Sequence, residues 1–252
     1  MTVDTQELAA KVQGMYRQVA ERPRETYHFE MGRPLADRLG YDAALLSGVP
    51  SGAVESFAGV GHFFDLAALT EGERVIDLGS GSGTDSFLAA LQVGPTGRVV
   101  GVDFTPEQLT KARQLAEGWG NVEFREGVVE RLPVSDGSFD CVISNGVVNL
   151  SPDKSAVFAE VARVLRPGGR LAIADIVTGS QLTDAIVADA DLWASCIGGA
   201  AQEDDYRHAI EAAGLRIRQV RPNNYQFISQ QARDASATFG VKSVCILAVK
   251  DR

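Results

Sequence analysis

Long apolar runs, paired cysteines and an excess of positive charge are all missing from this 252-residue sequence. No apolar stretch approaches the roughly 20 residues that a membrane-spanning helix needs, and residues 2–18 are polar and amphipathic, unlike a secretory leader. The three cysteines, Cys141, Cys196 and Cys245, show no paired spacing, so neither a disulfide framework nor a metal site is expected. These absences predict a cytoplasmic protein with free thiols and no membrane partner.

The excess of negative charge bears on possible partners. Lys and Arg total 24 against 33 Asp and Glu, a net charge of −9, and no basic stripe is present. A nucleic-acid partner requires a basic surface to neutralise phosphates, so none is expected. No linker rich in Pro, Gly or Ser divides the chain. We expect a helical extension over residues 1–70 and one globular unit over residues 71–252; the pattern specifies no oligomeric state.

A glycine-rich turn between two apolar strands is the most informative feature. A strand over residues 74–78 leads into Gly79, Gly81 and Gly83, and the next strand ends at Asp103. Glycines let the backbone turn sharply and approach a ligand closely, because no Cβ stands in the way. A carboxylate at the tip of the next strand is placed to accept hydrogen bonds from a ribose diol. The pattern indicates a nucleotide cradle.

The spacing of this turn does not choose the cofactor. A dinucleotide-binding turn carries glycines in the order G-x-G-x-x-G, so that a pyrophosphate can sit on the helix N-terminus. Here Thr84 stands where the last glycine would be. A nicotinamide oxidoreductase therefore stays a rival on the motif alone.

Hydrophobic periodicity and capping signals predict alternating strands and helices. The predicted helices cover residues 4–21, 34–46, 85–92, 106–117, 153–164 and 203–213. The predicted strands cover residues 74–78, 98–102, 122–125, 139–144, 169–174, 215–220 and 242–249. Such alternation favours right-handed crossovers and a parallel sheet with helices on both faces. The last two strands suit an antiparallel hairpin that closes the sheet.

Three blocks after the glycine turn strengthen this interpretation: residues 121–130, 137–145 and 165–175. Together with the turn they resemble the class I S-adenosylmethionine-dependent methyltransferases over residues 70–178. The resemblance implies an α/β, doubly wound, mostly parallel seven-stranded sheet of the Rossmann-like methyltransferase fold. It also implies S-adenosyl-L-methionine as cofactor, a small-molecule acceptor, and an N-terminal helical extension that serves as a lid.

The resemblance also assigns cofactor-binding residues. The backbone at Gly79, Ser80, Gly81 and Gly83 would face the methionine part, and Asp103 the ribose. Asp77 would meet the ammonium group or brace the glycine turn. The other candidates flank the adenine or lie beside the reacting methyl group, and they are Phe104, Gly127, Val128, Val129, Ser144 and Asn145.

Four blocks further resemble the arsenite methyltransferase branch of this family, namely residues 80–90, 93–98, 143–154 and 192–200. That branch holds As(III) with thiolates, which are the ligands that this soft ion requires. Cys196 matches one ligand position. Ser86 and Val60 stand where other members have cysteine. One hypothesis is therefore an arsenite or methylarsenite methyltransferase with a reduced cysteine set, in which Cys196 is a possible arsenic ligand.

The missing thiols rank a small organic acceptor, methylated at O, N or C, ahead of the arsenical. An acceptor that carries a proton needs a base, and His28 and His62 in the N-terminal extension are the candidates, with Cys196 as a third possible catalytic side chain. A third hypothesis is a non-catalytic module that binds the cofactor as a ligand. The intact glycine turn and Asp103 argue against that reading, because a decayed site would be free to lose them.

Overall fold

The computed structural model describes residues 4–189, 192–193 and 196–251. Its strands, in chain order, are β1 (Arg74–Leu78), β2 (Arg98–Asp103), β3 (Val122–Glu126), β4 (Phe139–Asn145), β5 (Leu165–Thr178), β6 (Ala201–Gln202), β7 (Leu215–Pro222) and β8 (Lys242–Lys250). The sheet order is β3-β2-β1-β4-β5-β8-β7, and the two-residue β6 pairs only with β5. Strand β8 runs antiparallel to both of its neighbours. The predicted doubly wound, mostly parallel sheet is confirmed.

Helices flank this sheet and precede it in the chain. They are α1 (Thr5–Glu21), α2 (Gly32–Leu39), α3 (Ala43–Ser47), α4 (Ser51–Glu55), α5 (Phe64–Ala67), α6 (Thr84–Val93), α7 (Pro106–Leu115), α8 (Lys154–Val164), α9 (Asp184–Val187), α10 (Glu203–Ala212) and α11 (Gln230–Phe239). None of the helices in the described part of the chain is long and apolar enough to cross a membrane.

Alternating side chains of the strands supply a separate core on each face of the sheet. Val75 packs in one core with Phe87 of α6, and its neighbour Ile76 packs in the other with Phe158 of α8. Successive side chains of a strand point to opposite faces, so a strand covered on both faces must be apolar throughout. This requirement explains why most positions of β1, β2 and β4 are apolar.

The predicted helix over residues 34–46 is wrong in its extent, because two helices occupy this part of the chain. Gly40 adopts a left-handed φ of 92° and ends α2, and the Asp42 side chain caps α3 by accepting from the amides of Ala44 and Leu45. Glycine adopts that conformation without the steric cost that a Cβ would bring. The apolar pattern continues across the break, which hides it from periodicity.

Helix α11 lies between the last two predicted strands, in a segment where hydrophobic periodicity predicts no helix. Its two buried side chains, Ala232 and Ala235, are small, so they give no strong apolar stripe. The end signals were nevertheless present: the Ser229 hydroxyl accepts from the amide of Ala232, and Gly240 ends the helix with a φ of 66°. In this segment the capping residues indicate the helix better than hydrophobic periodicity does.

Candidate active site

The glycine turn joins β1 to α6 at the carboxyl end of the sheet. Gly79, Gly81 and Gly83 have φ values of 67°, 52° and 98°, a region that favours glycine. A Cβ on Gly79 would lie 2.3 Å from a methyl carbon of Val147, and one on Gly83 would lie 2.6 Å from the Phe124 ring. Glycine is therefore required here both by backbone conformation and by close packing.

Asp103 at the tip of β2 holds this turn in place. Its Oδ2 accepts from the Gly81 amide at 2.9 Å, and its Oδ1 accepts from the Thr105 amide at 2.8 Å. Burial raises the pKa of this carboxyl, although the backbone donors act in the opposite direction. Each carboxylate oxygen can accept a second hydrogen bond, so two hydroxyls of a ribose can still be bound.

A cavity of about 210 Å³ opens between this edge of the sheet and α1. Four carboxylates line it: Asp77, Asp85, Asp103 and Glu130. Lys, Arg and His are absent from its lining within residues 4–189, 192–193 and 196–251. A polyanionic pyrophosphate would be repelled by such a lining, whereas a ligand that carries positive charge would be attracted. The electrostatics disfavour the nicotinamide dinucleotide.

Two of these carboxylates form a buried pair below the glycine turn. Asp77 accepts from the Ser86 hydroxyl at 2.6 Å, and Asp85 accepts from the Tyr41 hydroxyl at 2.8 Å and the Asn145 amide at 3.0 Å. Burial, and then the charge of Asp85, raise the pKa of Asp77 well above its usual range. Burial raises the pKa of Asp85 to about 6. The pair holds a proton more readily than ordinary aspartates do.

Asn145 at the end of β4 links this pair to the loop before α5. Its Oδ1 accepts from the Val60 amide at 2.7 Å, and its Nδ2 donates to the Gly61 carbonyl at 3.0 Å. A Cβ on Gly59 would lie 2.5 Å from that same Nδ2. The glycines of this loop therefore allow the backbone to approach Asn145 closely.

Helix α1 covers the cavity and is fixed to the sheet by side chains. Gln13 donates to the Phe104 carbonyl at 3.0 Å, and the Gln108 amide donates to the Tyr16 carbonyl at 2.9 Å. Arg17 pairs with Glu107 of α7 at 2.7 Å. The apolar face of α1 adds Leu8, Val12 and Tyr16 to the cavity wall. The N-terminal extension thus lies over the ligand edge, and its movement as a lid stays a prediction.

The cavity brings together most of the residues that were predicted to bind the cofactor. These are Asp77, Gly79, Ser80, Gly81, Asp103, Phe104, Gly127, Val128, Val129 and Asn145. Gly83 and Ser144 lie just behind its wall: Gly83 begins α6 against Phe124, and the Ser144 hydroxyl donates to the Leu78 carbonyl at 3.0 Å. Their contacts support the shape of the turn.

The two candidate histidines lie elsewhere. His62 borders a second hollow together with Tyr41 and Asp65, and its Nδ1 is 3.7 Å from a carboxylate oxygen of Asp65. Burial lowers the pKa of His62. His28 packs edge-on against Phe29, with ring centroids 4.7 Å apart. The structure does not bring either histidine into the cavity wall, and a catalytic role for them stays a prediction.

The three cysteines are free and occupy different surroundings. Cys141 is buried in β4, and burial raises its pKa to about 12. The Cys245 thiol donates to the His62 carbonyl at 3.1 Å. Cys196 lies within electrostatic reach of Tyr16 and Asp175, and burial raises its pKa to about 12. The charge of the Cys196 thiolate contributes to the raised pKa of Tyr16, which lines the cavity.

The segment that presents Cys196 is anchored beside α8. The Cys196 amide donates to the Trp193 carbonyl at 2.8 Å, and the Lys154 ammonium lies 5.2 Å from the centroid of the Trp193 ring. Ala194 and Ser195, which belong to the sequence block around Cys196, lie outside the described residues. Cys196 itself has a φ of 61°, a left-handed conformation that costs a non-glycine residue about 1–2 kcal/mol.

Sequence reasoning missed two polar residues of the site. Asp85 is in the first turn of α6, next to the glycine turn, and a buried carboxylate there could have been suspected from its position. Gln108 is buried in α7, where its side chain accepts from the Ser82 hydroxyl at 2.5 Å. Nothing in the helical pattern around Gln108 distinguishes it from a solvent-facing glutamine.

A family model described as a methyltransferase domain matches residues 69–214. The chain belongs to the S-adenosylmethionine-dependent methyltransferases. The cavity fits this cofactor, because Asp103 can receive its ribose hydroxyls and the acidic lining complements its sulfonium and ammonium charges.

Within the family, the chain is similar to arsenite methyltransferases. It is 45% identical to that of Halobacterium salinarum over 203 residues, which cover 79% of this chain and 52% of the relative. It is 39% identical to the human arsenite methyltransferase over 137 residues, which cover 50% of this chain and 36% of the relative. The chain thus spans about half the length, or less, of these relatives.

A solved structure extends the similarity. The arsenic(III) S-adenosylmethionine methyltransferase from Chlamydomonas reinhardtii is 33% identical, with a TM-score of 0.68, and the match covers 83% of this chain and 72% of that one. A geranyl diphosphate methyltransferase in complex with sinefungin matches 97% of this chain with a TM-score of 0.67 at 20% identity, which supports the fold alone.

Proposed function

We propose that this chain transfers the methyl group of S-adenosylmethionine to a trivalent arsenical. The arsenite methyltransferases among its relatives support this acceptor over the organic molecule that the missing thiols alone had ranked first. The observation in the structure that carries the proposal is Cys196, a thiol within electrostatic reach of the cavity-lining Tyr16 and held in a left-handed conformation. Strained non-glycine residues persist where the surrounding structure enforces them, often at ligand sites.

Different residues of the site bind the cofactor, exclude water and hold the acceptor. When bound, S-adenosylmethionine supplies a methyl group on a positively charged sulfur. Asp103 and the glycine turn orient the nucleoside, and Leu8, Val12 and Tyr16 of α1 shield the cavity from water. Cys196 forms a sulfur–arsenic bond as one oxygen or sulfur ligand of the arsenical leaves with the thiol proton, as water or a free thiol, and the bond holds the acceptor in place. The arsenic lone pair then forms the bond to the methyl carbon while the carbon–sulfur bond breaks, so no general base is required.

The reduced thiol set restricts the form of the acceptor. Ser86 stands at a position where relatives have a thiol, and its hydroxyl is engaged by Asp77 at 2.6 Å. A hydroxyl is also a poor ligand for a soft ion. We therefore expect an arsenical that brings its own ligands, either a methyl group or a small thiol, and that needs few protein sulfurs. The cytoplasmic location stays a prediction.

The test is methyl transfer from labelled S-adenosylmethionine to inorganic and monomethyl arsenite with excess glutathione. We expect turnover with wild type, faster with monomethyl arsenite, and a loss of at least about 100-fold in Cys196→Ser, as for removal of a group that orients the acceptor. Cys141→Ser is the matched control, because that thiol is buried in β4, and it should retain turnover. Cofactor binding without methylation of either arsenical would contradict the proposal and favour an organic acceptor.

A further inference from the structure

The buried carboxylates Asp77 and Asp85 are placed where the charge of a bound ligand must affect them. Both line the cofactor cavity, and both are almost fully buried. Tyr41 and Asn145 each donate to Asp85, and Ser86 donates to Asp77. These donors are all neutral, so they do not cancel the charge of two ionised carboxylates. Adjacent buried carboxylates without a compensating cation retain a proton between them.

We propose that Asp85, held by Tyr41 and Asn145 beside Asp77, lets the site distinguish the cationic cofactor from its neutral product by exchanging a proton for the sulfonium charge. In the empty site the pair keeps one proton. When S-adenosylmethionine binds, its sulfonium supplies the missing positive charge, and the proton leaves to solvent. S-adenosylhomocysteine carries the same ammonium group but a neutral thioether instead of a sulfonium. Any proton that the ammonium displaces therefore leaves in both complexes, and the difference between the two ligands reports the sulfonium alone.

Discrimination follows from the same exchange. Since binding of the sulfonium form releases a proton that the thioether form does not, raising the pH favours the substrate cofactor over the product. Asp85 is then a specificity-determining residue that weakens product retention at neutral and higher pH. The inference concerns the cofactor alone, so it does not depend on which acceptor is methylated.

Other titratable groups face the pair from neighbouring elements, and their titration must be distinguished from that of Asp77 and Asp85. Asp103 approaches from β2, and its charge contributes to the raised pKa of Asp77. Tyr41 lies between α2 and α3, with the His62 ring 4.8 Å from its own ring and Cys245 of β8 within electrostatic reach. Of these, His62 is the group whose ordinary pKa is closest to neutral, although burial lowers it here. It therefore needs its own control.

The test is calorimetric titration of the full chain at pH 7 in two buffers that differ in ionisation enthalpy, which counts the protons released on binding. The ligands are S-adenosylmethionine, S-adenosylhomocysteine and sinefungin, whose amine places a positive charge where the sulfonium would be. We expect S-adenosylmethionine and sinefungin to release more protons than S-adenosylhomocysteine, by up to one proton. The ratio of the Kd of the product to the Kd of the cofactor should rise with pH, by up to about tenfold per unit.

The variants decide which residue is responsible. Asp85→Asn should reduce the difference in proton release, because Asp77 then loses the neighbouring charge that adds to the effect of its burial. Tyr41→Phe, which removes one donor to ionised Asp85, should move the rise in the Kd ratio to higher pH. Two control variants should keep the difference. Asp140→Asn changes a buried carboxyl at the start of β4 that is remote from the cavity, and His62→Gln removes the neighbouring imidazole. Equal proton release by the three ligands in wild type would overturn the inference. A difference that is undiminished in Asp85→Asn, or that disappears in His62→Gln, would overturn it too.

Discussion

Asp103→Ala should weaken the binding of S-adenosylmethionine by about 100- to 10,000-fold. The carboxylate can accept from two ribose hydroxyls, and hydrogen bonds to charged groups contribute about 1.5–3 kcal/mol each, with tenfold in Kd for every 1.4 kcal/mol. The substitution also removes the acceptor for the Gly81 and Thr105 amides, so the glycine turn loses its anchor. Calorimetric titration of the purified variant measures the effect.

A neighbouring carboxylate serves as the control for Asp103. Glu126 pairs with Asp103 across β2 and β3, but it is exposed to solvent and is not part of the cavity wall. Glu126→Ala should bind the cofactor as wild type does. A folded Asp103→Ala protein, with an unchanged circular dichroism spectrum and less than tenfold loss of affinity, would contradict the assigned role.

Gly79→Ala should lower the free energy of unfolding by about 2–5 kcal/mol. The left-handed backbone contributes about 1–2 kcal/mol of strain, and crowding of a packed site adds about 1–3 kcal/mol. The crowding arises because the new methyl group would meet Val147 at 2.3 Å. Urea denaturation of the unliganded protein gives the difference directly.

The control variant Gly118→Ala distinguishes backbone strain from steric crowding. Its φ is 89°, and nothing lies within 4 Å of the position where its Cβ would stand. Gly118→Ala should therefore show the strain alone, about 1–2 kcal/mol, and leave cofactor binding intact. Adding Val147→Ala to Gly79→Ala should recover part of the loss. Equal losses at Gly79 and Gly118 would show that Val147 is not the obstacle.

The sheet was predictable because its signals are local. Each core strand is a short apolar run, and glycine or proline marks the turns, so the strands over residues 74–78 and 98–103 were placed almost to the residue. The short helices were harder. Helix α5 spans only Phe64–Ala67, and α11 buries only alanines on its inner face, so neither shows a helical apolar stripe. Tertiary packing decides such segments.

The site residues were likewise predictable only where the sequence signal is local. The glycine turn and Asp103 are close in sequence, so their spacing carried the prediction. His62 was grouped with the site because it belongs to the N-terminal extension. Its loop, however, passes behind Asn145, and His62 borders the second hollow. Contacts between distant segments, such as Tyr41 with Asp85, depend on the sheet order and on the packing of α2 to α5. A single sequence does not specify them.

The central claim is that the acidic cavity beneath α1 binds a cationic nucleoside cofactor. The most direct measurement is equilibrium titration of the full chain with S-adenosylmethionine and, in parallel, with NAD⁺. We expect saturable binding of S-adenosylmethionine and no measurable binding of NAD⁺, because the four carboxylates repel its pyrophosphate. Binding of NAD⁺ that equals or exceeds that of S-adenosylmethionine would contradict the claim.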